Sequence, residues 1–260
     1  MDLFYFGASD RALLGVFHPP EPAVDSGHAI VLCYPMGQEY FRSHRAFRQL
    51  AILLARRGFS VLRFDYYGTG DAMGSSEAGS VDQWVKDITT AVDELREMTG
   101  AGALSLVGLR LGAALAALAS SRLTSSLDTL VLWDPVVRGT DYLVELDAWT
   151  DDRPGASRNG RRIVGVMGFP MSDDLRREIG AVDLTRMLPL SARRVLLLVS
   201  ERDGAKEELR TALQASGAAA EYRCVESEGE WAEVDDVGSF LLPHEMIRGI
   251  VAAMAGDGDP

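Results

Sequence analysis

The sequence has 260 residues, a net charge of −12 and a 47% share of hydrophobic residues, which predicts a single domain over residues 1–260 with a sizeable core. The acidic balance argues against nucleic acid as a partner, because binding to phosphates needs clustered Lys and Arg. Two cysteines, Cys33 and Cys224, are too few for a disulfide framework and show no metal-ligand spacing, so we expect no metal and no other cofactor. The sequence contains no leader-like or bilayer-length apolar segment, and we therefore expect a cytoplasmic protein without a membrane span.

Short apolar runs alternate with helical patterns along most of the chain. Strands are predicted at residues 3–6, 12–17, 28–34, 60–64, 104–107, 129–133, 195–200 and 221–225. Helices are predicted at residues 43–57, after the capping-box pair Ser80 and Gln83, after Gly112, and at residues 141–149, 173–179, 206–216 and beyond Pro243. This alternation predicts an α/β fold with a mostly parallel, twisted sheet and helices on both faces. The regular spacing stops at residues 137–190, which are too long for a simple crossover and predict a small lid inserted between strands.

One stretch has the layout of a nucleophile elbow. Residues 104–107 are a buried strand, Gly108 and Gly112 flank a turn, and an Ala/Leu-rich helix follows. This is the pattern G-x-S-x-G, in which the glycines leave room where strand and helix cross. Here the central residue is Arg110 instead of serine.

Several motifs in the same order resemble the α/β-hydrolase superfamily over nearly the whole chain. The closest likeness is to the small bacterial serine-aminopeptidase-like group, which includes esterases, thioesterases and exosortase-associated hydrolases. Residues 33–37 (C-Y-P-M-G) stand where that family carries its oxyanion loop, and residues 65–70 (D-Y-Y-G-T-G) match its glycine-containing loop. Residues 200–203 (S-E-R-D) lie where the triad acid usually follows its strand. The resemblance implies activity on esters, thioesters or amides of modest size.

Two of the three triad positions depart from the family. Arg110 replaces the nucleophile, and residues 227–232 contain no histidine where the family places one. His244, at the start of the final helix, is the stand-in base that remains, although an exposed histidine at a helix start has the same pattern. Cys33 follows apolar strand residues and is predicted to be a core residue instead of a nucleophile.

Arg110 cannot attack a carbonyl, because its guanidinium stays protonated. At a helix N-terminus it can hold an anion, so we predict an anion clamp for a carboxylate, a phosphate or a thioester carbonyl. Such a cation needs an acidic partner, for which Asp134, Asp203 and Glu39 are the candidates. The alternative is an internal salt bridge that fills a dead pocket.

The acidic candidates each have a second interpretation. Asp203 stands at the family's acid position, but the sequence favours a helix N-cap. Asp134 ends a strand at the ligand-binding edge of the sheet and is a general base or, as we favour, the counter-ion of Arg110. Glu39 faces the pocket or is a solvated loop residue.

The resemblance also implies an oxyanion hole. It would consist of the backbone N–H groups of Met36 and Leu111, which depend on loop shape and survive loss of the serine. Tyr34 belongs to the same loop as Met36, and His44, at the start of the first long helix, is predicted to line the pocket.

These residues lead to one functional prediction and two alternatives. The prediction is an enzyme of bacterial small-molecule, specialised metabolism that binds an acyl or anionic substrate through Arg110 and acts without a Ser-His-Asp triad. Asp134, Glu39 or His244 would supply acid–base help for hydrolysis, cyclisation or elimination. The first alternative is an inactive pseudo-hydrolase that serves as a binding or scaffold subunit, with a protein partner or a homodimer left open. The second is a hydrolase with a relocated nucleophile, either Cys33 or a serine brought in by the loops.

Overall fold

We describe the protein from a computed structural model, which describes residues 1–21, 24–148, 156–158, 161–166, 169–225 and 242–256. Within these residues the strands, in chain order, are β1 (Asp2–Phe6), β2 (Leu13–His18), β3 (His28–Cys33), β4 (Phe59–Asp65), β5 (Ala103–Leu109), β6 (Leu127–Trp133), β7 (Ala156–Arg158), β8 (Arg161–Val166), β9 (Phe169–Ser172), β10 (Ala192–Val199) and β11 (Ala219–Cys224). The helices are α1 (Gly37–Arg56), α2 (Val81–Thr99), α3 (Leu111–Ser120), α4 (Gly139–Ala148), α5 (Asp173–Gly180), α6 (Gly204–Ala215) and α7 (His244–Ala255).

Eight strands form one sheet in the order β1-β2-β4-β3-β5-β6-β10-β11. β2 runs antiparallel to both of its neighbours, and the strands from β4 to β11 pair in parallel. The predicted fold class is therefore confirmed. The parallel strands bring the ends of β3, β4, β5 and β6 to one edge of the sheet, where ligands bind in open α/β sheets.

The helices cover both faces of this sheet. Helix α1 contacts β4 and α7, whereas α2 contacts β3 and α3. Five of the six residues of β3 are buried, as are nine of the ten residues of α3, which explains their nearly unbroken apolar sequences. None of the described helices combines the length and the hydropathy that crossing a bilayer requires.

One predicted boundary is wrong by six residues. We expected residues 35–39 to form a loop and α1 to begin at residue 43, but α1 begins at Gly37 directly after β3. Gly37 adopts a φ of 61°, a conformation that costs glycine little, and Met36 occupies the N-cap position. Glu39 therefore lies in the first helical turn, where its carboxylate also complements the helix dipole.

The segment predicted to be a lid has its own secondary structure. It contains α4, the antiparallel sheet β7-β8-β9, α5 and a short 3-10 turn at Leu184–Arg186. Helix α4 contacts α5, and β9 contacts a 3-10 turn at Ser76–Ala78 that precedes α2. Residues 227–232, the loop without a histidine, lie outside the described residues.

Candidate functional site

The elbow between β5 and α3 has the close packing that its two glycines predict. A Cβ on Gly108 would lie 2.4 Å from the carbonyl oxygen of Gly112, and a Cβ on Gly112 would lie 2.3 Å from the carbonyl oxygens of Cys33 and Tyr34. Both positions therefore require glycine. Arg110 between them has a φ of 53°, which few non-glycine residues adopt, and its N–H donates to the carbonyl of Trp133 at 3.0 Å. The backbone thus makes the tight strand-turn-helix crossing that the two glycines predict, with Arg110 at its centre.

The guanidinium of Arg110 is held by two carboxylates. Its Nε donates to Oε1 of Glu39 at 2.8 Å, and its Nη2 donates to Oε2 of Glu145. Tyr142 donates its hydroxyl to the other oxygen of Glu39 at 2.9 Å, and its ring lies 5.4 Å from the Arg110 Cζ. We call Arg110, Glu39, Tyr142 and Glu145 the elbow cluster.

The elbow cluster joins three separate parts of the chain. Glu39 lies on α1, Arg110 on the turn before α3, and Tyr142 and Glu145 on α4. Glu39 and Tyr142 are 3% and 2% exposed, so they are buried between these elements. The cluster therefore attaches α4 to the elbow through buried polar contacts.

The charges in the elbow cluster stabilise the protonated arginine. Burial lowers the pKa of Arg110, but Glu39 and then Glu145 outweigh burial and leave the pKa above its ordinary value. Burial, followed by the charge of Glu39, raises the pKa of Tyr142 well above its ordinary value, so its hydroxyl keeps the proton that it donates. Arg110 is thus a permanent cation that already has an anionic partner on each side.

Little space remains above Arg110 among the described residues. A small cleft bordered by Tyr142, Glu145, Asp203 and Lys206 has about 50 Å³ of open volume. Among the described residues this cleft therefore has room for ordered water and not for a drug-sized ligand.

Asp134 is not the counter-ion of Arg110, contrary to our prediction. Its Oδ1 accepts hydrogen bonds from the N–H of Ser200 at 2.7 Å and from the Ser200 hydroxyl at 3.0 Å. Lys206 Nζ lies 3.9 Å from the same oxygen. Asp134 has a φ of 41°, and its carboxylate contacts the end of β10 instead of the elbow. Glu39, which the sequence alone placed in a loop, is the buried partner.

Asp203 is the N-cap of α6, as the sequence favoured. Its Oδ1 accepts from the N–H of Lys206 at 2.8 Å, and its Oδ2 pairs with the Lys206 Nζ at 2.9 Å. These donors outweigh partial burial and lower the pKa of Asp203. Its carboxylate therefore has a structural role in the described part of the chain, and its role as a triad acid stays a prediction.

The predicted oxyanion and pocket residues separate into two groups. Met36 is the N-cap of α1, and Leu111 is the first residue of α3, directly after Arg110. Tyr34 and His44 line a different cavity, beside β4, which Arg110 does not reach. The distinction arises because the Tyr34 side chain packs against Phe47 at a ring distance of 4.3 Å and points to the α1 side of the sheet.

The two remaining candidates, His244 and Cys33, differ in their exposure. His244 is exposed at the first residue of α7. Cys33 is fully buried, and burial raises the pKa of its thiol far above the ordinary value. A thiol that resists ionisation is a poor nucleophile.

Sequence reasoning missed Tyr142 and Glu145. Both come from α4, more than thirty residues after the elbow, and the fold is needed to bring them together. Their i, i+3 spacing in a short helix after the next strand is the signal that the sequence offers.

The sequence of this chain matches one known protein family over about half of its length. A family model described as serine aminopeptidase, S33, matches residues 30–158. No curated protein sequence matches the chain.

Solved structures match over nearly the full length at low identity. They include Est1E from Butyrivibrio proteoclasticus with bound ferulic acid, at 14% identity and a TM-score of 0.70, with 97% of this chain and 96% of that chain covered. Proline iminopeptidase from Mycobacterium smegmatis matches at 14% identity and a TM-score of 0.67, with 98% of each chain covered. Mouse α/β hydrolase domain-containing protein 10 matches at 16% identity and a TM-score of 0.63, again with 98% of each chain covered. The chain is therefore a protein of the α/β-hydrolase fold.

Proposed function

We propose that this hydrolase-fold protein works without an acyl-enzyme, because its elbow holds an ion pair instead of an attacking oxygen. The observation that carries the proposal is the 2.8 Å contact between Arg110 Nε and the buried Glu39 carboxylate. A guanidinium stays protonated at any working pH and has no lone pair for attack. Cys33, the relocated nucleophile considered from sequence, is fully buried.

The contacts favour a binding or scaffold role over turnover at this position. One cation and two carboxylates give the charged side chains of the elbow cluster a net charge of −1, so a further anion is repelled unless it displaces a carboxylate. As bordered by the described residues, the cleft beside Arg110 has an open volume of about 50 Å³, far below the roughly 300 Å³ or more of a typical ligand pocket. In this proposal Arg110 fixes α4 to the elbow, and the protein is a pseudo-hydrolase.

A serine-directed fluorophosphonate tests this proposal. The protein would be incubated with excess reagent and its intact mass measured, with an active serine hydrolase treated in parallel as a control for the reagent. We expect no mass increase. Stoichiometric addition of one phosphonyl group to the folded protein, and none to protein that is denatured before the reagent is added, would show an activated serine. That result would overturn the proposal.

A second candidate is the predicted enzyme with Arg110 as an anion clamp. The observation that favours it is the contrast between the two partners: the Glu39 side chain is 4% exposed, whereas the Glu145 side chain is 52% exposed. A carboxylate of an acyl or ester substrate would take the place of Glu145 on Nη2, while Glu39 stays. Asp134, Glu39 or His244 would then supply acid–base help in a reaction of specialised metabolism.

Removing the exposed carboxylate separates the two candidates. Glu145→Gln frees Arg110 Nη2 for another anion, and Glu208→Gln is the matched control, because the Glu208 side chain is 53% exposed and pairs with Arg138. If Arg110 is a clamp, Glu145→Gln alone should bind propionate more tightly, by about tenfold or more in calorimetry. Equal propionate binding by both variants and the unmodified protein would remove the second candidate.

A further inference from the structure

A second cavity lies between α1 and the outer strands of the sheet. It has a volume of about 380 Å³, within the range of small-ligand sites. Apolar side chains from β2 and β4 form one wall, and cationic or titratable side chains from α1 and β4 form another. The residues that matter here are Leu14, Val16 and Phe64 on the first wall and His44, Arg48 and Arg63 on the second.

Arg63 is a buried cation whose direct partners are both neutral. It is 4% exposed, and it donates from Nε to His18 Nε2 at 3.1 Å and from Nη1 to the Tyr34 hydroxyl at 2.8 Å. Among the described residues no carboxylate forms an ion pair with Arg63, and its two hydrogen bonds to side chains use Nε and Nη1. A buried guanidinium without an anionic contact is costly, so this position favours an anion supplied from outside the chain.

Both neutral partners stay neutral at physiological pH. Burial, and then the charge of Arg63, lowers the pKa of His18 to about 4. Burial raises the pKa of Tyr34 to about 12, against the opposing effect of Arg63. Neither group can therefore balance the charge of Arg63.

Two carboxylates also border the cavity, and their contacts narrow the class of ligand. Asp65 accepts from the Tyr40 hydroxyl at 2.7 Å and from the N–H of Asp71 at 3.0 Å, so each of its oxygens already accepts one hydrogen bond. Asp71, whose N–H donates to Asp65, is exposed. Their charges oppose a dianion such as phosphate more strongly than a monoanion.

We propose that this cavity binds a small organic acid, with its carboxylate on Arg63 and its apolar body along Leu14, Val16 and Phe64. Nη2 of Arg63 and the side chain of Arg48 supply the charge, and the apolar wall supplies contact area. The site is separate from the elbow and goes beyond the function proposed above. It stands whether or not Arg110 takes part in catalysis.

Calorimetric titration of the full chain tests the site. The probes are hexanoate, which has a carboxylate and an apolar body, and inorganic phosphate. We expect saturable binding of hexanoate and at least about tenfold weaker binding of phosphate. Equal affinity for both probes would overturn the assignment to an organic acid, and no binding of hexanoate at about 10 mM would overturn the site.

Three variants locate the binding. Arg63→Met removes the buried charge at similar volume and should weaken hexanoate binding by more than about tenfold. Arg48→Met, an exposed change that does not threaten folding, should weaken it by about threefold. Arg56→Met removes the same charge from the same helix outside the cavity and should leave binding unchanged. Thermal denaturation would first show that Arg48→Met and Arg63→Met are folded. If both variants then bind hexanoate as the unmodified protein does, the proposal is wrong.

Discussion

Nε of Arg110, in the turn between β5 and α3, lies 2.8 Å from Oε1 of Glu39 in the first turn of α1. The two residues are 71 positions apart in the sequence. They meet because β3 and β5 are neighbouring parallel strands, and α1 and α3 begin at the same edge of the sheet. The tight turn between β5 and α3 therefore holds at its centre an ion pair whose carboxylate is buried.

Tyr142→Phe tests whether the elbow cluster holds α4. The change removes the hydroxyl that donates to Glu39 at 2.9 Å. A buried hydrogen bond to a charged group contributes about 1.5–3 kcal/mol, so we expect the free energy of unfolding to fall by that amount. Amide exchange in α4 should also become faster, as measured by mass spectrometry.

Tyr5→Phe is the matched control for that change. The Tyr5 hydroxyl donates to the Asp71 carbonyl at 3.3 Å in an exposed position, so its loss should change the free energy of unfolding by less than about 0.5 kcal/mol. If both variants behave alike, the contact between Tyr142 and Glu39 contributes nothing particular to the attachment of α4.

Gly108→Ala tests the close crossing of β5 and α3. The new Cβ would lie 2.4 Å from the carbonyl oxygen of Gly112 and 2.5 Å from the Ala113 Cα, both of which are backbone atoms that cannot turn away. We expect a loss of about 2–3 kcal/mol in urea denaturation, as for other overpacked core positions. Gly102→Ala, whose Cβ would meet nothing within 4 Å, should change stability by less than about 0.5 kcal/mol. A tolerated Gly108→Ala would mean that the crossing is looser than described.

Much of this fold follows from the sequence, because its signals are local. The buried run of β3, the capping pair of Ser80 and Gln83, and the two glycines of the elbow each act through neighbouring residues, and the structure contains all of them. The start of α1 was mispredicted because Pro35 and Gly37 have the composition of a loop, whereas Gly37 opens the helix.

The partners of Arg110 depend on contacts between distant elements, which the sequence does not specify. Asp134 and Glu39 were both plausible counter-ions because each lies near the end of a strand beside β5. The side-chain direction decides between them: Asp134 contacts Ser200 and Glu39 contacts Arg110. Tyr142 and Glu145 could not be identified without the position of α4.

Two substitutions of Asp203 test its role as the N-cap of α6. Asp203→Asn keeps a good N-cap and loses the ion pair with Lys206, whereas Asp203→Ala loses both. We expect Asp203→Ala to cost about 1 kcal/mol more than Asp203→Asn in the free energy of unfolding, because an N-cap contributes about that much. Equal destabilisation by the two variants would show that the N-cap hydrogen bond of Asp203 does not contribute to the free energy of unfolding.

His18 predicts a specific dependence of stability on pH. Its pKa falls from 6.5 to about 4 in the folded protein, first because of burial and then because of Arg63. Between these two values the unfolded chain takes up a proton that the folded chain does not, so acid favours unfolding. The contribution of neutral His18 is fully present above about pH 6.5 and is lost progressively as the pH falls towards 4.

Urea denaturation at a series of pH values measures this contribution. His18→Gln cannot take up the proton, so its free energy of unfolding should decline less steeply between pH 6.5 and 4 than that of the unmodified protein. Parallel slopes for the His18 variant and the unmodified protein would contradict the assignment of a neutral, buried His18.

The most direct measurement for the ion pair at the elbow is a double-mutant cycle between Arg110 and Glu39. The free energies of unfolding of the unmodified protein, Arg110→Met, Glu39→Gln and the double variant would be measured in urea. Arg110→Met leaves the buried Glu39 carboxylate without its cation and should cost about 3–5 kcal/mol, whereas Glu39→Gln leaves Arg110 paired with Glu145 and should cost less. We predict a coupling energy of at least about 2 kcal/mol, with the double variant far less destabilised than the sum of the single changes. A coupling energy below about 0.5 kcal/mol would show that Arg110 and Glu39 act independently and would contradict an elbow held by their ion pair.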